Sequence, residues 1–261
     1  MNEIGGSLDL QPMSNFKDHF SGHAAIYREA RPTYPPALFD WLAQQAPDRE
    51  LAWDAGCGNG QATAALAQRF TRVIGTDPSA NQIAEAESRA NIEYRVEAAE
   101  QPTLTDGSVS LVTVAQAMHW LDHERFYDAV RRALKPGGML AVWAYAHCDV
   151  DNAAIDGAIT RLYVDLTGPY WPTERSLVET GYRTIPFPFV EIAPPAFPMV
   201  ASWTADHLLA YLRSWSATQR YIKALGEDPV TLIEPDLRAA WGNAATRRDV
   251  RWQFHLRVGK V

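Results

Sequence analysis

Only two cysteines, Cys57 and Cys148, occur in the 261 residues, so neither a disulfide framework nor a zinc-ligand spacing is available. So few thiols fit a reducing compartment, and the chain is expected to be cytoplasmic. Long apolar runs are missing too. No stretch approaches the roughly 18 consecutive apolar residues of a membrane span, so no membrane partner is expected. The opening MNEIGGSLDLQPMSNF carries acidic residues and has no apolar core, and does not read as a secretory signal. Positive charge is also short. A net charge of −7 argues against a broad nucleic-acid footprint, and no nucleic-acid partner is expected. Internal repeats and low-complexity tracts are absent. What remains is ordinary for a globular protein: 47% hydrophobic and 21% charged, long enough to bury a sizeable core unaided.

The middle of the chain alternates strand and helix patterns. Prolines 32, 35 and 36 stop any helix before PALFDWLAQQ, which places Leu38, Trp41 and Leu42 on one helical face. LAWD (51–54) reads as a strand, QATAALAQRF (61–70) as a helix and RVIGTD (72–77) as a second strand. PSANQIAEAESRA opens with helix-start residues, and IEYRVEA (92–98) is a third strand. SVSLVTVAQA (108–117) is apolar enough to be buried on both faces. DHERFYDAVRRALKPGG predicts a helix capped by Asp122 with Gly137 past its end, and MLAVWAYA (139–146) a fifth strand. Such alternation predicts a parallel sheet with right-handed crossovers, whose ligands lie beyond the carboxyl ends of the strands. After residue 147 the regularity fades into proline- and aromatic-rich sequence. A strand is expected within 189–203, helical sequence in TADHLLAYLRSWSATQRYIKAL with a break near Ser214–Ser216, and a final strand at 250–258.

The sharpest local feature is Asp54-Ala55-Gly56-Cys57-Gly58-Asn59-Gly60, between a strand and a helix. Glycines let the chain turn tightly and let a ligand press on bare backbone, and a helix start offers unpaired N–H groups. A dinucleotide loop would read G-x-G-x-x-G/A. Here the third glycine comes one residue early, which weighs against a nicotinamide-dependent oxidoreductase. Asp77 closes the second strand, 23 residues after Asp54, where an acid can accept from both hydroxyls of a ribose. It can equally serve as a turn or helix-cap residue, and Asp54 as a turn-forming carboxylate.

An acid followed by G-x-G-x-G resembles motif I of the class I S-adenosylmethionine-dependent methyltransferases. The likeness continues in order over residues 16–146. RVEAAEQPTLTDGSVSLVTVAQAMHW resembles motifs III and IV, and ALKPGGMLAVW the helix end and fifth strand that follow. It implies a Rossmann-like, doubly wound, mostly parallel seven-stranded α/β sheet with an N-terminal lid segment and a helical cap. The chain would be a single domain, 1–261: tail and lid in 1–36, cofactor-binding core in 37–146, cap and substrate region in 147–248, final strand in 249–261. The implied cofactor is S-adenosyl-L-methionine, held by Asp54, Gly56, Gly58, Gly60, Asp77, Ala99, Glu100 and Gln116. Ala98 stands where the family carries an acid, so the adenine would fall to the backbone of Ala99 or to Glu100. YREARPTYP (27–35) and AQAMHW (115–120) resemble a small-molecule group, similar to the trans-aconitate methyltransferases and to methyltransferase type 11.

Methyl transfer from a sulfonium needs proximity, orientation and a dry pocket more than it needs a base. A carboxylate acceptor needs a cation to hold it; a hydroxyl needs a group to take its proton. Acceptor contacts are expected from Tyr27, Arg31 and Tyr34 in a lid, or these are packing residues of an ordinary extension. His119 is the candidate catalytic residue, as a general base or a hydrogen-bonding group; its alternative is a buried histidine satisfied by backbone. Trp120 reads as a pocket wall. Trp171, Trp203, Arg213, Trp215 and Arg220 are weaker candidates in the cap, where most tryptophans simply pack. No metal ligand set is expected. The expected activity is methylation of a small molecule, on a carboxylate or hydroxyl oxygen, by a monomer or homodimer. Nitrogen or carbon methylation, and a non-catalytic cofactor-binding module, stand as alternatives; the absence of an N-P-P-Y sequence after the fourth strand weighs against one amino-methylating subgroup.

Overall fold

The computed structural model describes residues 31–261. Five strands run parallel: β1 (Leu51–Ala55), β2 (Arg72–Asp77), β3 (Ile92–Val96), β4 (Val109–Ala115) and β5 (Leu134–Asp149). β6 (Val190–Ile192) and β7 (Met199–Trp203) each pair antiparallel with β8 (Arg248–Lys260), which is itself antiparallel to β5. The order is β3-β2-β1-β4-β5-β8-β6, with β7 beside the start of β8. The expected seven strands are therefore the main path. An eighth is added because β8 is long enough to pair two short strands along one edge.

The chain winds outward from β1 through β2 to β3, then returns to place β4 on the other side of β1. This reversal opens a crevice at the carboxyl ends of β1 and β4. Period-two alternation assigns each face its own core. Leu111, Met139, Ala141 and Trp143 pack with Leu38 and Leu42 of α1 (Pro36–Gln45) and with Leu66 of α2 (Gln61–Leu66). Val112, Val114, Leu140 and Val142 pack with Phe126 and Val130 of α4 (His123–Ala133), whose Asp122 cap accepts from the Arg125 amide.

Some expected boundaries shift. The helix expected after β2 is only the short α3 (Ala80–Ala84), capped by Ser79. The polar sequence beyond it offers no apolar stripe to bury, so tertiary packing does not extend it. α2 stops at Leu66 rather than Phe70. β5 begins at Leu134, paired with Val109, and takes in Gly137, which was expected only to end the preceding helix.

Residues 147–248 are more regular than their sequence suggests. α5 (Ala153–Thr160) runs into a π-helical turn (Arg161–Leu166) and a short α6 (Arg175–Glu179). Then come α7 (Ala205–Arg213), α8 (Ser216–Leu225), with the expected break between them, and α9 (Glu234–Trp241). They share a third core in which Ile155, Leu162, Leu208, Leu212, Trp215 and Trp241 pack on Tyr145 and Trp252 of the sheet. Among the described residues no helix is long and apolar enough to cross a membrane, and no His/Cys/Asp/Glu group is arranged to hold a metal ion.

Candidate active site

The crevice begins at the loop after β1. Gly56, Gly58 and Gly60 have φ of 66°, 54° and 81°, a region that L side chains rarely adopt. At Gly56 a Cβ would also come within 2.7 Å of the Ala117 Cβ. The Cys57 amide donates to the Thr76 carbonyl (3.0 Å), which binds the loop to β2. Burial pushes the Cys57 thiol well above its ordinary range, so it has no nucleophilic character.

Asp54 is fully buried beneath this loop. Its two oxygens accept from the hydroxyls of Thr63 on α2 (2.6 Å) and Thr113 on β4 (2.7 Å). Desolvation raises its pKa to about 6, against the lowering pull of the two hydroxyls. Its contacts in the structure are thus with the scaffold under the turn. Asp77 ends β2 beside the loop and accepts from the amides of Gly58 and Ser79, both at 2.9 Å. It therefore performs the turn-forming role, and each carboxylate oxygen can accept more than one hydrogen bond. Bare glycine backbone and a carboxylate at the next strand end suit a nucleoside. Ala99 is buried nearby, and Glu100 accepts from the Asp122 amide at the start of α4 (2.9 Å).

Gln116 directly follows β4 with φ of 57°, a left-handed conformation unusual for a residue other than glycine. Its side-chain amide donates to the Tyr145 carbonyl (3.0 Å), and it lines a cleft of about 590 Å³ including its open mouth. His119 and Trp120, in the helical turn just past β4, line the same cleft, as does Arg31, whose guanidinium donates to the Tyr145 hydroxyl (3.0 Å). The sequence-predicted residues Arg31, Gln116, His119 and Trp120 are thus brought together. Tyr34 is not among the lining residues. It packs edge-on against Trp143 (5.5 Å between ring centroids) and Phe39 (6.4 Å), in its packing role. Tyr27 lies outside the described residues.

The cap supplies the opposite wall. Trp171 and Trp215 line it, whereas Trp203 packs edge-on against Trp252, Arg213 is paired with Asp228 (2.7 Å) and Glu234 (2.8 Å), and Arg220 reaches the Tyr170 carbonyl. The residue that sequence reasoning missed is Arg175. Its guanidinium lies over the Trp171 ring (4.6 Å), and its Nε donates to the Tyr163 hydroxyl (2.8 Å), which in turn donates to Glu179. Among the described residues its two Nη groups have no hydrogen-bond partner. No periodicity marks it, because it lies in a proline-flanked segment positioned by the π-helical turn that carries Tyr163. Tyr145 and Tyr211 complete the aromatic lining. Among the described residues no Asp or Glu lines the cleft, in a chain of net charge −7.

The His119 ring is packed against Trp120 (4.7 Å between centroids) and its Nδ1 lies 2.8 Å from the Tyr182 hydroxyl. Desolvation, with Arg175 and His123 nearby, lowers its pKa to about 3, so the ring is neutral at physiological pH. A base of that strength takes a proton from a hydroxyl poorly at neutral pH, whereas a neutral imidazole is a good hydrogen-bonding group.

Comparison with known proteins agrees with this geometry. Residues 53–142 match a methyltransferase domain family. A protein of Dictyostelium discoideum named as a methyltransferase is 34% identical over 232 residues, spanning 87% of this chain and 88% of that protein. An uncharacterized methyltransferase of Mycobacterium tuberculosis is 35% identical over 177 residues, 63% of this chain and 71% of its own. A solved structure from Anaeromyxobacter dehalogenans, described as a type II methyltransferase, superimposes with a TM-score of 0.83 at 43% identity. It covers 88% of this chain and 97% of its own.

Proposed function

The chain belongs to the class I S-adenosylmethionine-dependent methyltransferases, and from that premise we propose that it methylates a carboxylate oxygen of a small molecule. The observation that carries this reading is the sign of the cleft. Among the described residues two arginines line it, no acid does, and the Nη groups of Arg175 have no partner. A guanidinium held over an indole and anchored through Nε offers its remaining N–H groups in a fixed fork, the geometry that matches a carboxylate. The aromatic rings of Trp120, Trp171, Tyr211 and Trp215 give the body of such a molecule an apolar bed.

S-adenosylmethionine, when bound, supplies a methyl group already activated on a positively charged sulfur; its transfer to a carboxylate oxygen forms one O–C bond, breaks one S–C bond and moves no proton. The residues of this chain then have to bind, orient and exclude water. Gly56, Gly58 and Gly60 would let the cofactor approach the backbone, with Asp54 bracing the loop from below and Asp77 available to accept from the ribose hydroxyls. Ala99 and Glu100 would serve the adenine, and Gln116 would contact cofactor or acceptor. Arg31 and Arg175 hold the acceptor anion, and His119 donates to it. Orientation of this kind contributes on the order of 7 kcal/mol or more to such transfers.

The test is methyl transfer from isotope-labelled S-adenosylmethionine to matched aromatic and unsaturated acceptors differing only in one group: carboxylate, primary amide, alcohol or amine. Turnover confined to the carboxylates is the expected result. Turnover of amines or alcohols without carboxylates would refute the reading, and cofactor binding without turnover of any member would favour a non-catalytic module.

A further inference from the structure

We propose that Tyr182 is a positioning residue that fixes His119 as an Nε2–H donor, so that His119 holds an acceptor oxygen and does not act as its base. The inference concerns the histidine's proton; only the identity of the oxygen rests on the carboxylate reading above.

The Tyr182 ring is 1% exposed, so its hydroxyl proton has to end on an acceptor within the protein. Among the described residues the one acceptor within hydrogen-bond distance is His119 Nδ1, at 2.8 Å. A buried hydroxyl with one acceptor in reach directs its O–H there, and here that is toward Nδ1. A nitrogen accepting this bond carries no proton. A neutral imidazole with a bare Nδ1 bears its hydrogen on Nε2, and the ring lines the cleft.

Both partners keep the protonation this requires. Burial pushes the Tyr182 phenol above its ordinary range, so the O–H persists. The charged groups acting on His119 are Arg175 across the cleft and His123 on α4, and both disfavour the imidazolium.

The backbone holds Tyr182 for this contact. Tyr182 has φ of 59° and follows Gly181 at 60°, two successive left-handed residues. A bulky side chain in that conformation is an outlier that needs its surroundings to hold it. The Tyr182 amide donates to the Leu177 carbonyl (2.8 Å). Its carbonyl accepts from Arg257 (2.7 Å), which also donates to Ile185 (2.8 Å) and pairs with Glu191 (2.7 Å). A Cβ at position 181 would meet the His255 ring at 2.5 Å. Local strain, a salt bridge from the far strand and a glycine beside a ring all fix one phenol hydroxyl on one imidazole nitrogen.

The experiment is nitrogen NMR of the full chain, labelled on histidine, with S-adenosylhomocysteine bound; His119→Gln assigns the His119 signals by their loss. The expected spectrum has Nε2 protonated and Nδ1 bare, unchanged across about pH 5 to 8. In Tyr182→Phe the Nδ1 resonance moves downfield toward that of a nitrogen without a donor, while S-adenosylhomocysteine affinity measured by calorimetry is unaltered. A proton on Nδ1 in the native chain, a ring that titrates in that range, or an unmoved Nδ1 resonance in folded Tyr182→Phe would each overturn the proposal. The native-chain spectrum decides the matter even where the variant does not fold. It is also independent of the acceptor series: carboxylates that fail to turn over sink the proposed function and leave the tautomer standing, and the converse holds.

Discussion

The glycine loop and the cap wall of the cleft are built from different materials. At Gly56–Gly60 the material is backbone: three left-handed glycines over a buried Asp54, joined to β2 by the Cys57 amide on the Thr76 carbonyl. Around Trp171–Arg175 it is side chain: a guanidinium on an indole, anchored to a tyrosine carried by an irregular turn. A backbone wall fits any ligand that presents the same sugar and linker, and it is damaged by any added Cβ. A side-chain wall can be rewritten one residue at a time without disturbing the sheet. The cofactor half of such a molecule is therefore fixed by geometry, while the acceptor half is free to change chemistry.

If that difference is real, substitutions on the two sides should fail in different observables. Gly56→Ala should have the largest effect. The left-handed φ costs about 1–2 kcal/mol, and the close approach to Ala117 about 1–3 kcal/mol more. Calorimetry should show cofactor affinity reduced by a comparable amount, and a folded variant with native affinity would break the backbone account. Asp77→Ala comes next, weakening S-adenosylmethionine binding by about 1–3 kcal/mol as polar partners are left unmatched. Unchanged affinity in the folded variant would confine Asp77 to its turn-forming bonds with Gly58 and Ser79.

The smallest effect is a pH dependence with opposite signs on the two sides. His119, at about 3 when folded and 6.5 as the ordinary value, binds fewer protons in the folded state between those limits. Its contribution to stability therefore rises with pH across that window. Asp54, raised from 3.8 to about 6, binds more protons when folded, so its contribution falls as pH rises from about 4 to 6. In denaturant titrations the native chain should gain on the order of 1 kcal/mol relative to His119→Gln between about pH 5 and 7, and lose relative to Asp54→Asn over the lower window. A His119→Gln difference that does not change with pH would contradict the buried neutral ring.

The same difference in material decides what the sequence discloses. A ligand-facing turn of bare backbone needs small residues at fixed spacing, so Gly56, Gly58, Gly60 and the strand-ending Asp77 are readable in the chain itself. The buried strand β4 is readable because both of its faces demand apolar residues. Gly137 misleads: it looks like a helix stop, but the pairing of Leu134 with Val109 draws it into β5. Arg175 is silent, since its position depends on Tyr163 and Trp171 in sequence without periodicity. His119 is half-readable. Its place beyond β4 follows from the alternation, but the group that sets its proton, Tyr182, is 63 residues away and brought near by β8 and Arg257. Tyr34 carried the same aromatic signal as the residues that line the cleft, and it packs on Trp143 instead.

The most direct test of an anion-binding cap facing a backbone-built cofactor site is Arg175→Met, assayed with whichever carboxylate of the matched series turns over. Loss of a charged hydrogen-bonding group predicts that kcat/KM for the carboxylate falls by about 1.5–3 kcal/mol, with cofactor affinity unchanged and Arg175→Lys only partly restoring it. A native kcat/KM in the methionine variant, or a loss that appears equally in cofactor binding, would contradict the account.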